Sequence, residues 1–140
     1  MTDAKIFVDS DVIISSLISE TGAAYLLLNQ PNLNLFISNL SISEQKVVVK
    51  RLSLSFTKWQ KLTAKLNLVN VSENIKIHKQ ALKSYVLDPN DAHILAGGIK
   101  SKAKFLITYN LKHFKLDKIK SELGILVISP GNFLQYLRSH

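Results

Sequence analysis

The sequence predicts an α/β domain: a parallel sheet of about five strands with helices on both faces. Three observations predict it. Short apolar runs recur along the whole chain, at residues 5–9, 33–37, 68–71, 105–108 and 124–128. Stretches of helical periodicity separate them. Only three prolines and five glycines punctuate the 140 residues, and no repeat, linker or low-complexity tract divides them, so one domain is expected over 1–140.

Each element has its own signal. Lys5-Ile6-Phe7-Val8-Asp9 reads as the first strand and ends on an acid. Ile13, Ile14, Leu17 and Ile18 then fall at helical spacing. Gly22 breaks the chain, and Ala23 to Leu28 form a short second helix before Pro31. Leu33 to Ile37 is strand two. Ser38 to Leu54 reads as a helix in which Ser41-Ile42-Ser43-Glu44 matches a capping box. In the next helix, Phe56 to Leu66, the residues Phe56, Trp59, Leu62 and Leu66 share one side and Lys58, Lys61 and Lys65 another. Leu68 to Val71 is the third strand candidate. Glu73 to Val86 is helical, with His78 on its apolar stripe. Asp88-Pro89-Asn90-Asp91 makes a turn and helix start, and Ala92 to Lys100 continues it. Phe105 to Thr108 is strand four, and Gly124 to Ile128 strand five. No element is assigned between them. Ser129 caps the last helix and Pro130 opens it.

Composition excludes several classes. There is no cysteine, hence no disulfide scaffold and no thiolate nucleophile or ligand. With 46% hydrophobic and 20% charged residues the chain is globular rather than disordered. No apolar run approaches the roughly 18 residues of a membrane span. The opening MTDAKIFVDSD places acids where a secretory leader would be basic. A cytoplasmic protein with no membrane partner is expected.

The net charge of +8 is unevenly spread. Residues 1–45 set Lys5 against Asp3, Asp9, Asp11, Glu20 and Glu44, a balance of −4. Residues 46–83 carry nine Lys or Arg against Glu73, and residues 100–120 seven Lys against Asp117. A basic field recruits polyanions such as nucleic acid. The same lysines also suit a merely solubilising surface.

Against that background the acids stand out. Ligands of parallel sheets bind at the carboxyl ends of the strands. Asp9 ends strand one, Glu44 lies one turn into the helix after strand two, Asp91 opens the helix that feeds strand four, and Asn110 follows strand four. Adjacent strands would bring these oxygen donors together, a set suited to Mg²⁺ or Mn²⁺. Each also has a purely structural reading. Asp9 can cap a helix, Glu44 can complete the capping box, Asp91 can sit in the field of a helix start, and Asn110 can shape a turn.

Four segments resemble the PIN domain family. Ile6-Phe7-Val8-Asp9-Ser10-Asp11-Val12-Ile13-Ile14 is similar to its opening strand and first acid. Asp88-Pro89-Asn90-Asp91-Ala92-His93-Ile94-Leu95-Ala96 is similar to its third-acid helix. Phe105 to Phe114 resembles its strand-four segment, where Thr-x-Asp or Thr-x-Asn precedes a phenylalanine. Ile128-Ser129-Pro130-Gly131-Asn132-Phe133-Leu134 resembles its closing Ser-Pro-x-x-Phe-Leu. The pieces keep the family's order over nearly the whole chain.

The resemblance implies a single PIN-like domain and a metal-dependent endoribonuclease, most often the VapC-like toxin of a toxin–antitoxin pair. It implies Asp9, Glu44 and Asp91 as catalytic acids that hold Mg²⁺ or Mn²⁺, with Asn110 as a further ligand. Ser10 and Thr108 would support them by hydrogen bonds, and Asp11 and Asp88 are extra acids nearby. Asn110 takes a position where many members carry aspartate, which bears on whether one ion or two are held. RNA, a cognate antitoxin and a second copy of the chain are the implied partners. Lys58, Lys61 and Lys65 would contact RNA phosphates.

Two alternatives remain on the residues. A non-catalytic RNA-binding PIN-like domain would use the same lysines. Asp9-Ser10-Asp11 after an apolar strand is also similar to the first motif of haloacid-dehalogenase-type phosphatases, although no acidic pair follows a later strand. His78, His93 and His113 are scattered and read as core or surface residues.

Overall fold

The computed structural model describes residues 3–139. Five strands, β1 (Lys5–Val8), β2 (Asn34–Ser38), β3 (Asn67–Val69), β4 (Phe105–Ile107) and β5 (Leu126–Ile128), form one parallel sheet in the order β3-β2-β1-β4-β5. Ile6 sits between Leu35 on one side and Phe105 on the other. The chain therefore works outward from β1 to β3 and then returns to the opposite side of β1. That reversal puts the topological switch point, where the crevice of such a sheet opens, between β1 and β4.

Among the described residues eight α-helices cover the sheet: α1 (Ser10–Ile18), α2 (Ala23–Leu28), α3 (Asn39–Arg51), α4 (Phe56–Ala64), α5 (Ile75–Leu82), α6 (Ala92–Lys100), α7 (Leu116–Leu123) and α8 (Pro130–Ser139). Strand residues alternate between two cores, as a pleat requires. Ile6, Val8, Leu35, Ile37, Phe105 and Ile107 pack with α1, α2, α3, α4 and α8. Phe7, Leu106 and Val127 face α6 and α7. With both faces buried, each strand reads as a continuous apolar run rather than an alternating one. Among the described residues no helix is long and apolar enough to cross a membrane.

The structure moves several boundaries. β1 stops at Val8, and Asp9 becomes the N-cap of α1. The helix after β2 begins at Asn39, because Ser38 ends the strand and its hydroxyl accepts from Ser41 N at 3.0 Å. The capping box expected at Ser41–Glu44 does not form: Ser41 is buried, and Glu44 lies in the second turn with its carboxylate free of the backbone. The helix expected over 73–86 runs only from Ile75 to Leu82 and tightens into a 3₁₀ turn at Lys83–Tyr85.

One whole helix is an addition to the expected elements. α7 links β4 to β5, the crossover that a parallel pair needs. Leu116, Ile119 and Leu123 fall at helical spacing, and Ile119 is wholly buried. Gly124, expected to open strand five, is the left-handed C-cap of α7 at φ 69°. Glycine adopts that conformation without a Cβ penalty.

Candidate active site

The sheet delivers Asp9 and Thr108 side by side. Asp9 N still donates to Ile107 O at 3.0 Å, extending the ladder one step past β1. Its side chain turns into the crevice between β1 and β4. There Oδ1 accepts from Ser10 N at 2.7 Å and Oδ2 from the Thr108 hydroxyl at 2.9 Å. The residue is 5% exposed. Burial, and then the neighbouring charge of Asp11, push its carboxyl well above the usual carboxylate range, against the pull of the Thr108 and Ser10 hydrogen bonds.

Asp11 ties α1 to the loop after β4. Its Oδ2 accepts from Tyr109 N at 3.0 Å and from Asn110 Nδ2 at 3.2 Å. Its Oδ1 is buried and has no hydrogen-bond partner. Burial raises this carboxyl too, opposed by the Tyr109 N–H. Asn110 thus faces the acids, with its own N–H on the Thr108 hydroxyl at 3.0 Å.

Glu44 reaches the same place from α3. Its Oε1 accepts from the Ser10 hydroxyl at 3.3 Å, and its Oε2 lies 3.0 Å from His93 Nε2. Asp91 stands at the N-cap position of α6 without capping it. His113 Nδ1 lies 3.1 Å from Asp91 Oδ2, an ion-pair contact without hydrogen-bond alignment. Burial raises the Asp91 carboxyl and His113 opposes the shift.

Asp9, Ser10, Asp11, Glu44, Asp91 and Asn110 line one cleft of about 480 Å³, walled on its apolar side by Ile14, Ile18, Val48 and Ile94. The structure thus gathers most of the residues expected at the site, with Thr108 beneath them. Two groups lie elsewhere. Asp88 caps the Pro89–Asp91 turn by accepting from Asn90 N at 2.9 Å. Lys58, Lys61 and Lys65 line a separate groove with Ser16, Glu20 and Tyr25, on another side of α1.

Sequence reasoning misses two histidines. His93 and His113 look scattered along the chain, yet each touches one of the acids. His93 lies 49 positions from Glu44, and no local pattern announces such a pair. His78 keeps its structural reading: it is buried, with Nε2 at 2.6 Å from Ser72 O.

The donor set fits a hard cation in its chemistry. All the cleft's acidic and amide donors are oxygens, and Asp11 Oδ1 and Asp91 Oδ2 are buried without hydrogen bonds. Asp9, Asp11 and Asp91, whose burial raises their affinity for protons, are the groups that a divalent charge would relieve. Yet among the described residues no three His, Asp or Glu side chains stand close enough together to hold a metal ion as they are arranged. Both oxygens of Glu44 are already engaged, and Asp91 leans on His113.

An acid-lined cleft at the switch point of a five-stranded parallel sheet agrees with the family assignment. The chain belongs to the PIN domain family, whose model matches residues 5–112. Solved structures resemble it over most of its length. A chain of a toxin–antitoxin complex from Klebsiella pneumoniae is 24% identical, covers 89% of this chain and 97% of its own, and has a TM-score of 0.65. A chain of VapBC2 from Rickettsia felis, bound to a DNA fragment from its promoter, is 17% identical, with 89% and 98% covered and a TM-score of 0.58. VapC20 of Mycobacterium tuberculosis, a toxin that cleaves the sarcin–ricin loop, is 16% identical, with 72% and 86% covered and a TM-score of 0.50. At these identities the likeness is one of fold. No curated protein matches the sequence significantly. The family assignment displaces the haloacid-dehalogenase alternative.

Proposed function

We propose that this protein is a Mg²⁺- or Mn²⁺-dependent endoribonuclease and the toxin member of a toxin–antitoxin pair. The observation that carries the reading is the convergence of Asp9, Asp11, Glu44 and Asp91 on one cleft at the carboxyl end of the sheet. Family membership and the toxin–antitoxin complexes among its structural relatives support it.

In this reading Asp9, Glu44 and Asp91 would hold the cation, and Asn110 could add its amide oxygen. When bound, the ion neutralises charge on the phosphoryl oxygens and lowers the pKa of an attacking water. Thr108 and the Ser10 N–H fix the Asp9 carboxylate so that it need not reorganise. Glu44, now on His93, and Asp91, now beside His113, would be the ligands that must turn to face the ion. The lysine groove holds RNA phosphates and reads no bases. The proposed partners are RNA, an antitoxin encoded by a neighbouring reading frame, and a second copy of the chain.

Purified protein, free of any other chain, is expected to cleave RNA only with Mg²⁺ or Mn²⁺ present. Asp9→Asn and Asp91→Asn are each expected to lower the rate by about 100-fold or more while the circular dichroism and melting remain those of a folded protein. Unchanged cleavage in both variants removes the nuclease assignment.

A second reading is favoured by one observation, the absence among the described residues of three acids drawn close enough to hold a metal. A non-catalytic RNA-binding domain would bind RNA with a salt-dependent affinity and cleave none of it under any divalent cation. The same assay separates the two.

A further inference from the structure

Behind the cleft runs a line of buried polar contacts that ends at its acids. Gln45, next to Glu44 on α3, is 0% exposed, and Trp59 on α4 is 3% exposed. Trp59 Nε1 donates to Gln45 Oε1 at 2.9 Å, and Gln45 Nε2 donates to Ser10 Oγ at 3.2 Å. An indole nitrogen only donates. It therefore fixes the amide, with Oε1 towards Trp59 and Nε2 towards Ser10.

The consequence passes to the hydroxyl. Ser10 Oγ accepts from Gln45, so its single hydrogen is left to be given away. Two acceptors stand at 3.3 Å, Ser41 O and Glu44 Oε1. With the indole removed, the amide is free to turn over and offer its oxygen to Ser10. The hydroxyl would then donate to Gln45, and Glu44 Oε1 would be without its donor. His93 would be left holding the other oxygen alone.

We propose that Trp59 and Gln45 are positioning residues for the Glu44 carboxylate: a buried indole–amide–hydroxyl relay that sets the direction of the Ser10 hydrogen. The proposal rests on the nuclease reading of the cleft for its functional meaning. It names no contact of Trp59 or Gln45 with RNA or metal.

Trp59 is the only tryptophan in the chain, so its indole N–H gives a single, unambiguous nuclear magnetic resonance cross-peak. In the protein alone, Ser10→Ala is expected to move that cross-peak, and Glu44→Gln to move it by less. Calorimetry with Mg²⁺ alone follows, using Trp59→Phe and Gln45→Met. The second variant keeps the volume and removes both polar partners. Trp59→Phe is expected to weaken Mg²⁺ binding by about 10-fold, and Gln45→Met by less, because no amide oxygen is left to take the Ser10 hydrogen. Each should lower kcat for RNA cleavage and leave KM unchanged. Placed on a Ser10→Ala background, neither should weaken binding further, because the relay is already cut.

An indole cross-peak indifferent to Ser10→Ala overturns the proposal. So do losses of equal size on the Ser10→Ala background, which would mark a packing effect that bypasses the hydroxyl. If the cross-peak answers to Ser10→Ala and Glu44→Gln but the protein neither binds Mg²⁺ nor cleaves RNA, the nuclease reading falls and the relay stands.

Discussion

Asp9 shows at the level of one residue how a site is held at some cost in stability. Its folded carboxyl is raised above the ordinary range by burial and by Asp11. The unfolded carboxyl has a pKa near 3.9. A carboxyl raised on folding favours the fold when protonated. That contribution is complete below the unfolded pKa and is lost as pH climbs through the folded one. Above the unfolded pKa the raised carboxyl therefore costs stability, and Asp9→Asn removes that cost. The amide can still accept from Ser10 N, and the Thr108 hydroxyl can turn to accept from it. Without divalent cations, Asp9→Asn is expected to melt a few degrees higher than the wild type at pH 7. The gap should close as pH falls towards 4. Equal melting points at pH 7, or a gap indifferent to pH, would mean that burial does not strain this carboxylate. A variant more stable and inactive is what a functional acid should give.

At the scale of elements, α6 is pressed against the sheet through glycine. A Cβ on Gly97 would collide with the Phe7 ring, whereas one on Gly98 would meet Leu106 Cδ1 at 3.5 Å, an ordinary contact. Alanine improves a helix interior by about 1 kcal/mol over glycine. Overpacking a core costs about 1–3 kcal/mol. Gly97→Ala is therefore expected to destabilise by up to about 2 kcal/mol in urea melts, and Gly98→Ala to be neutral or to gain. Equal effects would mean that Phe7 moves aside without cost. Signals of this scale decide what a sequence makes legible. The strands are legible because a strand buried on both faces is a plain apolar run. The acids are legible because they follow those runs. α7 escapes although Leu116, Ile119 and Leu123 carry its period, since Gly124 reads as strand rather than helix stop. The pairs His93–Glu44 and Trp59–Gln45 are illegible because their partners lie 49 and 14 positions apart. Only the fold brings them together, Trp59 through the contact of α4 with α3 and His93, at the start of α6, through its contact with Glu44.

Across the whole molecule, few acids sit on a basic body of net charge +8. The acids of the cleft and the lysines of α4 lie on different sides of α1, in separate depressions. A strand of RNA reaching both would bend around that helix. Lys58 is already 3.7 Å from Glu20 Oε1, but both side chains are about two-thirds exposed, and such a pair is worth only about 0–1 kcal/mol. It would yield readily to a phosphate. Neutralising Lys58, Lys61 and Lys65 together is expected to weaken RNA binding and flatten its salt dependence. For a single strand, every phosphate deprived of its lysine should lower the slope of log K against log salt by about 0.7. Metal affinity should not change, because none of the three lines the acid cleft. Binding isotherms at several salt concentrations read the slope directly. An unaltered slope would assign this groove to a protein partner, and an acidic antitoxin segment is the occupant that its charge would then select.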